Sequence, residues 1–192
     1  MKFTQIPAST FEELQLNAGI LLSAFEPETG SFERENILGA TSGGVSFTDV
    51  TEYQDFGEDI DNCPKNTKEL KRVNSREIKV SGTYITVNTQ RAKSLIAAAD
   101  VDESDATKIT PRDNLEETDF NDIWWVGDYS DKNDETNGGF IAIKLINALS
   151  TDGFSLQTGD KSKGQLAFGY TAHYSIEDPS AVPYEMYIKS GT

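Results

Sequence analysis

A chain of 192 residues is long enough for one domain with its own hydrophobic core, so we expect a single domain over residues 1–192. Its formal net charge of −15 argues against nucleic-acid binding through phosphates, which needs clustered lysine and arginine, and against binding to anionic membranes. The single cysteine, Cys63, excludes an internal disulfide and agrees with a reducing compartment.

Neither a membrane span nor a signal peptide is predicted. The longest apolar stretches, such as "GILLSAF" and "SLIAAA", are far shorter than a spanning helix requires. The N-terminal sequence "MKFTQIPASTFEEL" lacks the apolar core of a signal peptide. We therefore expect no membrane insertion, and a chain that is made in a cytoplasm.

The first part of the chain predicts two strands, each followed by a loop. Residues 10–25 alternate between apolar and polar side chains and then become apolar, which is typical of a strand that enters a core. The turn-rich residues 27–44 predict a loop, and "VSFTDVTEY", residues 45–53, a second strand. The charged segment Gln54–Asn74 has little periodicity and predicts a long loop, which in a compact domain is typically functional.

The middle of the chain predicts a clear strand and the only helix. "REIKVSGTYITVNT", residues 76–89, alternates as a strand does. Thr89 is the predicted N-cap of the helix that follows, which ends before the acidic "DVDESD". Apolar residues recur there at helical spacing, at Ala92, Leu95, Ile96 and Ala99.

The second half predicts a short strand, two hairpins and a closing strand. An acidic connection, Asp128–Gly139, joins the strands of the first hairpin, and "GDKSKG" forms the turn of the second. Pro183 near the start of the closing strand favours an edge position. The predicted ranges are 106–113 for the short strand, 119–130 with 138–150 and 153–158 with 164–176 for the hairpins, and 182–189 for the closing strand.

These elements predict a mainly β fold. About eight strands and one short helix indicate an antiparallel β-sandwich or barrel with one flanking α-helix and long projecting loops. Neither an internal repeat nor a domain linker interrupts the pattern.

Trp124 and Trp125 are adjacent in a predicted strand. Successive side chains of a strand point to opposite faces, so only one of the two can enter a given core. We expect one tryptophan in the core and the other in an interface with a neighbouring molecule, where tryptophan is enriched.

The charges fall in blocks of alternating sign. Residues 49–61 contain six acids and no base, whereas "KNTKELKRVNSREIK", from Lys65, is basic overall. Such blocks indicate either solvated faces or an acidic patch that meets a basic patch on a second copy of the chain.

No residue pattern nominates an enzyme, a cofactor or a metal ion. The acidic loop after Asp128 offers oxygen ligands suited to calcium but lacks the glycine and glutamate spacing of an EF-hand. His173 lies inside a predicted strand, which favours a packing role, and Cys63 has acidic neighbours, which disfavour a reactive thiolate. The aromatic residues leave a carbohydrate-binding sandwich open as a second interpretation.

Several stretches together resemble the major tail tube proteins of long-tailed (siphovirus-type) phages and prophages of Gram-positive bacteria. They include "ILGATSGGVSF", "FGEDIDNCPKNTKELKRV", "SGTYITVNT", "KITPRDNL", "DIWWVGDYSDKNDETNGGFIAIKLINALS" and "GDKSKGQLAFGYTAHYSIED". The likeness runs from about Phe11 to Ile188 and rests on many phrases, since no single motif is diagnostic. It implies a core over residues 11–188 with flexible ends.

The resemblance implies a virion structural protein. Proteins of that family form rings, usually hexameric, which stack into the tube through which DNA leaves the capsid. It follows that the partners are copies of the chain itself and other tail proteins, with DNA passing through the lumen without specific binding, and that the chain resides in the virion tail.

The same resemblance nominates assembly residues and leaves alternatives open. A ring protein of similar fold that does not polymerise, such as a tail terminator or a type VI secretion tube protein, remains one alternative, and a sugar- or calcium-binding β-sandwich is another. The nominated residues are Trp124, Trp125, Asp128, Asp131, Asn133, Asp134 and Glu135, with Asp59, Asp61, Lys65 and Lys68 in the long loop.

Overall fold

The computed structural model describes residues 3, 5–129 and 138–191. Short 3₁₀ turns at Thr10–Glu12, Arg34–Asn36 and Glu117–Asp119 accompany the strands and helix of this part of the chain. Those elements are β1 (Gln15–Leu22), β2 (Thr41–Asp55), β3 (Lys71–Tyr84), α1 (Thr89–Ile96), β4 (Ala99–Val101), β5 (Ile109–Pro111), β6 (Asn121–Tyr129), β7 (Gly139–Ser150), β8 (Ser155–Gln157), β9 (Gln165–Thr171) and β10 (Tyr184–Lys189).

Eight of the described strands form one antiparallel sheet, and β4 pairs with β5 in a small separate one. The order of the main sheet is β1-β6-β7-β9-β3-β2, with β10 also paired to β7 and β8 to β9. The sheet has two halves, one of β1, β6, β7 and β10 and the other of β2, β3, β8 and β9. β7 joins them, because most of it pairs with β6 and β10 while its last residues, Leu149 and Ser150, pair with β9. The predicted mainly β, antiparallel fold with a single helix is confirmed.

The core lies between the two halves of this sheet. Both halves and the helix supply fully buried side chains to one cluster, including Leu21, Val80, Leu95, Leu145 and Phe168. A second cluster covers the opposite face of β6 and β7 with Leu22, Phe25, Trp124, Phe140 and Ala142. Both faces of this half of the sheet are therefore packed by the chain itself.

The helix differs from its predicted limits at both ends. Asn88, not Thr89, is the N-cap, because the Asn88 side chain accepts a hydrogen bond of 2.8 Å from the Arg91 backbone N–H. Ala97 takes a left-handed conformation, φ 68°, which ends the helix and turns the chain into β4. Ala99 is buried as a strand residue, so its helical spacing in the sequence is coincidental.

Two strand predictions also need correction. Residues 10–14 were expected to belong to the first strand, but they precede β1, with Phe11 61% exposed. The predicted long loop Gln54–Asn74 is shorter, because β2 continues through Asp55 and β3 begins at Lys71. Both faces of the chain are exposed there, so no apolar alternation marks these strand residues in the sequence.

Arg91 joins the helix to the loop before β2. Its Nε donates to the Leu38 carbonyl at 2.5 Å, and its Nη1 donates to the Thr86 carbonyl at 2.6 Å. Its guanidinium also lies 5.2 Å from the centre of the Tyr84 ring. A Cβ added at Gly39 would lie 2.5 Å from the Arg91 Cζ, so only glycine leaves room for this arrangement.

We expect Arg91→Ala to lower the free energy of unfolding by about 2 kcal/mol, because the partly buried Leu38 carbonyl and the exposed Thr86 carbonyl both lose a charged donor. Urea denaturation with an unchanged m-value measures this loss. Lys93→Ala on the same helix is the control and should change stability by no more than about 0.5 kcal/mol. Gly39→Ala should lower the free energy of unfolding in the wild-type background but not in a chain that already carries Arg91→Ala. That result would show that the two positions are coupled, as the geometry requires.

Candidate assembly surface

Part of the β2–β3 hairpin extends beyond the sheet. β9 pairs with β3 over Lys79–Tyr84. Towards the start of β3, the pairing ends at the 2.9 Å hydrogen bond from the Ala172 N–H to the Ile78 carbonyl. Residues 50–55 and 71–77 therefore pair only with each other. Together with the connecting residues 56–70 they form what we call the projecting ribbon, and the connection is its tip.

The base of the ribbon is fixed to the last strand of the fold. Asp49 accepts a hydrogen bond of 2.6 Å from Arg76 and one of 3.1 Å from the Tyr184 hydroxyl. The rings of Phe47 and Tyr184 lie 5.5 Å apart. Burial, and then the hydrogen bond to Asp49, raise the pKa of Tyr184 above its ordinary value. These contacts set the direction in which the ribbon leaves the sheet.

The tip of the ribbon is ordered by one carboxylate. Asp55 accepts hydrogen bonds from the backbone N–H groups of Gly57 at 2.8 Å and Asn66 at 2.7 Å, and so closes the tip from both sides. These two bonds lower the pKa of Asp55 from its ordinary value of 3.8. The tip is therefore a shaped element, although it contains no regular secondary structure.

We expect the tip to loosen in acid and in the variant Asp55→Asn. The folded-state pKa of Asp55 lies below its unfolded value, so its contribution is full above about pH 4 and is lost as the pH falls through the folded pKa. Hydrogen exchange at the Gly57 and Asn66 amides measures the effect. Asn offers one acceptor oxygen where Asp offers two, so at neutral pH one amide should lose protection. Protection of both amides in Asp55→Asn would contradict the assignment.

The ribbon exposes apolar side chains on both faces. Val50 and Tyr53 are three residues apart on β2 and so point to opposite sides, because the extra residue of the irregularity at this point, Asn74, lies on β3. Val73 lies directly across from Tyr53. Single exposed apolar residues are common, but these cluster on one element outside the sheet. The exposed fractions are 57% for Val50, 60% for Tyr53, 54% for Phe56, 50% for Ile60 and 50% for Val73.

Sequence reasoning nominated the charges of this segment and missed its apolar residues. Asp59, Asp61, Lys65 and Lys68 all lie in the tip and are exposed. Lys68 pairs with its neighbour Glu69 at 3.4 Å, with both side chains mostly in solvent, so this pair adds little stability. The missed signal was the presence of valine, tyrosine and phenylalanine inside a charged run.

Both tryptophans pack within the chain, on opposite faces of β6. Trp124 is 7% exposed and contacts Phe25 and Tyr187, with ring centres 5.6 Å and 5.8 Å apart respectively. Trp125 is partly buried against the main core, and its Nε1 donates to the Ala18 carbonyl at 3.1 Å. Trp124 therefore needs no neighbouring molecule to bury it, and an assembly role for either residue stays a prediction.

The acidic connection of the first hairpin is mostly outside the described residues. Asp128 lies near the end of β6 and accepts a hydrogen bond of 2.7 Å from the Asn17 side chain. The other nominated residues of this connection, Asp131, Asn133, Asp134 and Glu135, lie outside the part of the chain that the structure describes. The flanking strands do form the predicted hairpin, with Tyr129 opposite Gly139.

The remaining candidate residues have structural contacts. His173 is half-buried, with its Nδ1 3.2 Å from the Asn147 carbonyl oxygen and its ring 5.4 Å from that of Phe120. The Cys63 Sγ lies 3.6 Å from the Thr67 hydroxyl. Within residues 3, 5–129 and 138–191 there is no cluster of three or more histidine, cysteine or acidic side chains that could hold a metal ion. Those residues also include no helix long and apolar enough to cross a membrane.

Comparisons with known proteins identify no family. Models of known protein families give no match to the chain, and a search of curated proteins gives none either. The resemblance to tail tube proteins therefore remains a prediction from the sequence.

Proposed function

We propose that this protein is a structural subunit of a phage tail, and that copies of it assemble into stacked rings that form the tail tube. Its partners are then other copies of itself and the neighbouring tail proteins, and its place is the virion tail. The proposal requires no catalytic residue and no cofactor. It rests on the sequence resemblance and on one structural observation.

That observation is the projecting ribbon. A two-stranded hairpin without a third strand is marginally stable in water, yet this one is fixed at its base by Asp49 and at its tip by Asp55. Burying the exposed part of each of its apolar side chains would contribute about 1 kcal/mol. A subunit that must hold its neighbours would use such an arm, because the arm brings exposed apolar side chains within reach of another copy.

The net charge agrees with a conduit for DNA. With a formal charge of −15, the chain offers no attraction to a passing phosphate backbone. Acidic side chains on the lumen side of a ring would repel the DNA and let it slide without specific contacts. In this proposal the DNA is cargo and not a bound ligand.

Negative-stain electron microscopy of the concentrated protein, with light scattering on the same sample, tests the proposal. Rings or hollow tubes are the expected result. Rings that never stack would favour a tail terminator or another non-polymerising ring protein. A monomer at all concentrations would contradict the proposal, and binding of glycans and calcium would then be measured.

A further inference from the structure

Both long edges of the projecting ribbon have unpaired backbone groups. Within residues 50–55, β2 pairs only with β3 and turns its other edge to solvent. Within residues 71–77, β3 pairs only with β2, because its pairing with β9 begins further along the strand. An edge of free N–H and C=O groups is a template for pairing with another strand.

The two edges carry opposite charge. All charged residues on the β2 side and in the first half of the tip are acidic, while the β3 side and the second half of the tip are basic overall. The acids are Glu52, Asp55, Glu58, Asp59 and Asp61; the bases are Lys65, Lys68, Lys71, Arg72 and Arg76, with Glu69 and Glu77 among them. Charged side chains protect an edge from indiscriminate pairing, but an edge of the opposite charge removes that protection.

Glu52 and Arg72 are the two edge charges best placed to act between copies. Arg72 on β3 lies directly across from Gln54 on β2, and Gln54 is two residues from Glu52 on that strand. The side chains of Glu52 and Arg72 therefore point to the same face of the ribbon. Glu52 accepts a hydrogen bond of 2.7 Å from the Ser75 hydroxyl, and Arg72 donates to the backbone carbonyl of Glu69 at 2.8 Å. Neither side chain forms an ion pair among the described residues.

The strand directions decide which arrangement of copies this charge pattern permits. β2 and β3 are antiparallel, so copies set side by side in the same orientation bring the β2 edge of one against the β3 edge of the next, again antiparallel. Acid then meets base at every contact, and such a head-to-tail contact can close into a ring. A two-fold dimer would place like edges together, acid on acid or base on base, which is unfavourable.

We propose that the ribbons of neighbouring copies pair edge to edge, the β2 edge of one copy with the β3 edge of the next, with Glu52 facing Arg72 across each contact. The inference rests on the proposed function and adds which surfaces join, in which orientation. The occupant of each ribbon edge is a second copy of this chain.

Two charge reversals test the pairing. Glu52→Lys places lysine opposite Arg72 at each contact, and Arg72→Glu places glutamate opposite Glu52, so each variant alone should associate at least about tenfold more weakly than the wild type. In an equimolar mixture every contact between unlike variants joins acid to base again. The mixture should therefore recover association to near the wild-type level, as measured by sedimentation velocity.

Matched controls separate this contact from other effects. Glu103→Lys and Lys163→Glu make the same changes in net charge at exposed positions off the ribbon, and they should associate as the wild type does. Circular dichroism and thermal melting confirm that each monomer is folded; mixing cannot repair a misfolded chain. If a reversal does not fold, Glu52→Gln and Arg72→Gln remove the charges without reversing them and should weaken association less.

The outcomes distinguish the inference from the proposed function. A wild type that forms rings or tubes, with reversals that assemble equally well or a mixture no better than its components, would overturn the edge pairing and leave the tail function standing. A wild type that never associates would overturn both. Weaker association of each charge-reversed variant alone, with association restored in their equimolar mixture, supports the edge pairing.

Discussion

Replacing residues 53–74 by Asn-Gly is expected to give a folded monomer that no longer assembles. Glu52 and Ser75 lie directly opposite each other in the antiparallel pair, so a two-residue turn can join them. The variant loses the tip and most of the exposed apolar side chains of the ribbon. It keeps Asp49, Arg76 and Tyr184 at the base, so the remaining hairpin stays attached to β10.

The measurement is the mass of the concentrated variant by light scattering, together with its thermal melting curve. We expect no rings or tubes and a melting temperature close to that of the wild type, because the removed residues contribute no side chain to the buried core. Rings from the shortened chain would show that assembly does not need the ribbon. Loss of folding would show that the ribbon stabilises the domain itself.

A second hairpin offers a matched control. Gln157 and Gln165 are opposite each other in β8 and β9, so Asn-Gly can likewise replace residues 158–164. This change also removes an exposed connection, but one without the ordered tip of the ribbon. The control variant should assemble, so that loss of assembly is assigned to the ribbon and not to shortening a loop.

Gly19→Ala should lower the free energy of unfolding by about 2–5 kcal/mol, the sum of backbone strain and overpacking. Gly19 lies at an irregularity of β1 with φ +69°, and an added Cβ would lie 2.6 Å from both the Trp125 Nε1 and the Val126 carbonyl oxygen. The methyl group would displace the indole whose Nε1 donates to Ala18. Urea denaturation measures the loss, and tryptophan fluorescence reports the altered environment of the ring.

Gly43→Ala is the control that separates the two causes. Gly43 has φ +81°, but a Cβ added there meets nothing within 4 Å. It should therefore cost only the backbone strain, about 1–2 kcal/mol. If the two variants are equally destabilised, steric contact with Trp125 contributes nothing, and the close packing of that indole against β1 is not important for stability.

The elements that bury one face were predictable from the sequence. Ile78, Val80 and Tyr84 alternate in β3 because that face enters the core, and all three are buried. The helix was predicted from a different period, the three- and four-residue spacing of its apolar residues, of which Ala92 and Leu95 are buried. Its N-cap was misplaced by one residue because Asn88 and Thr89 are both good capping residues; the position of the Arg91 amide decides between them.

The candidate site was only half predictable. The charge blocks and the long loop pointed to the segment around Asp59 and Lys65, because charge patterning is written directly in the sequence. The segment is a ribbon with two free edges because the pairing of β9 with β3 stops before it. That pairing joins residues far apart in the sequence, so local patterns do not show where it ends. Likewise, adjacent tryptophans indicate two faces, but only the fold brings Phe25 over one of them.

Local patterning thus indicated where most of the strands, the hairpins and the helix lie and which stretches are acidic or basic, because periodicity and charge act between residues close along the chain. The tertiary structure decided which edges are paired, which apolar residues remain exposed and how Arg91 is held. Those depend on contacts between residues far apart in sequence, such as Leu38 with Arg91 and Asp49 with Tyr184, and no short window of the sequence records them.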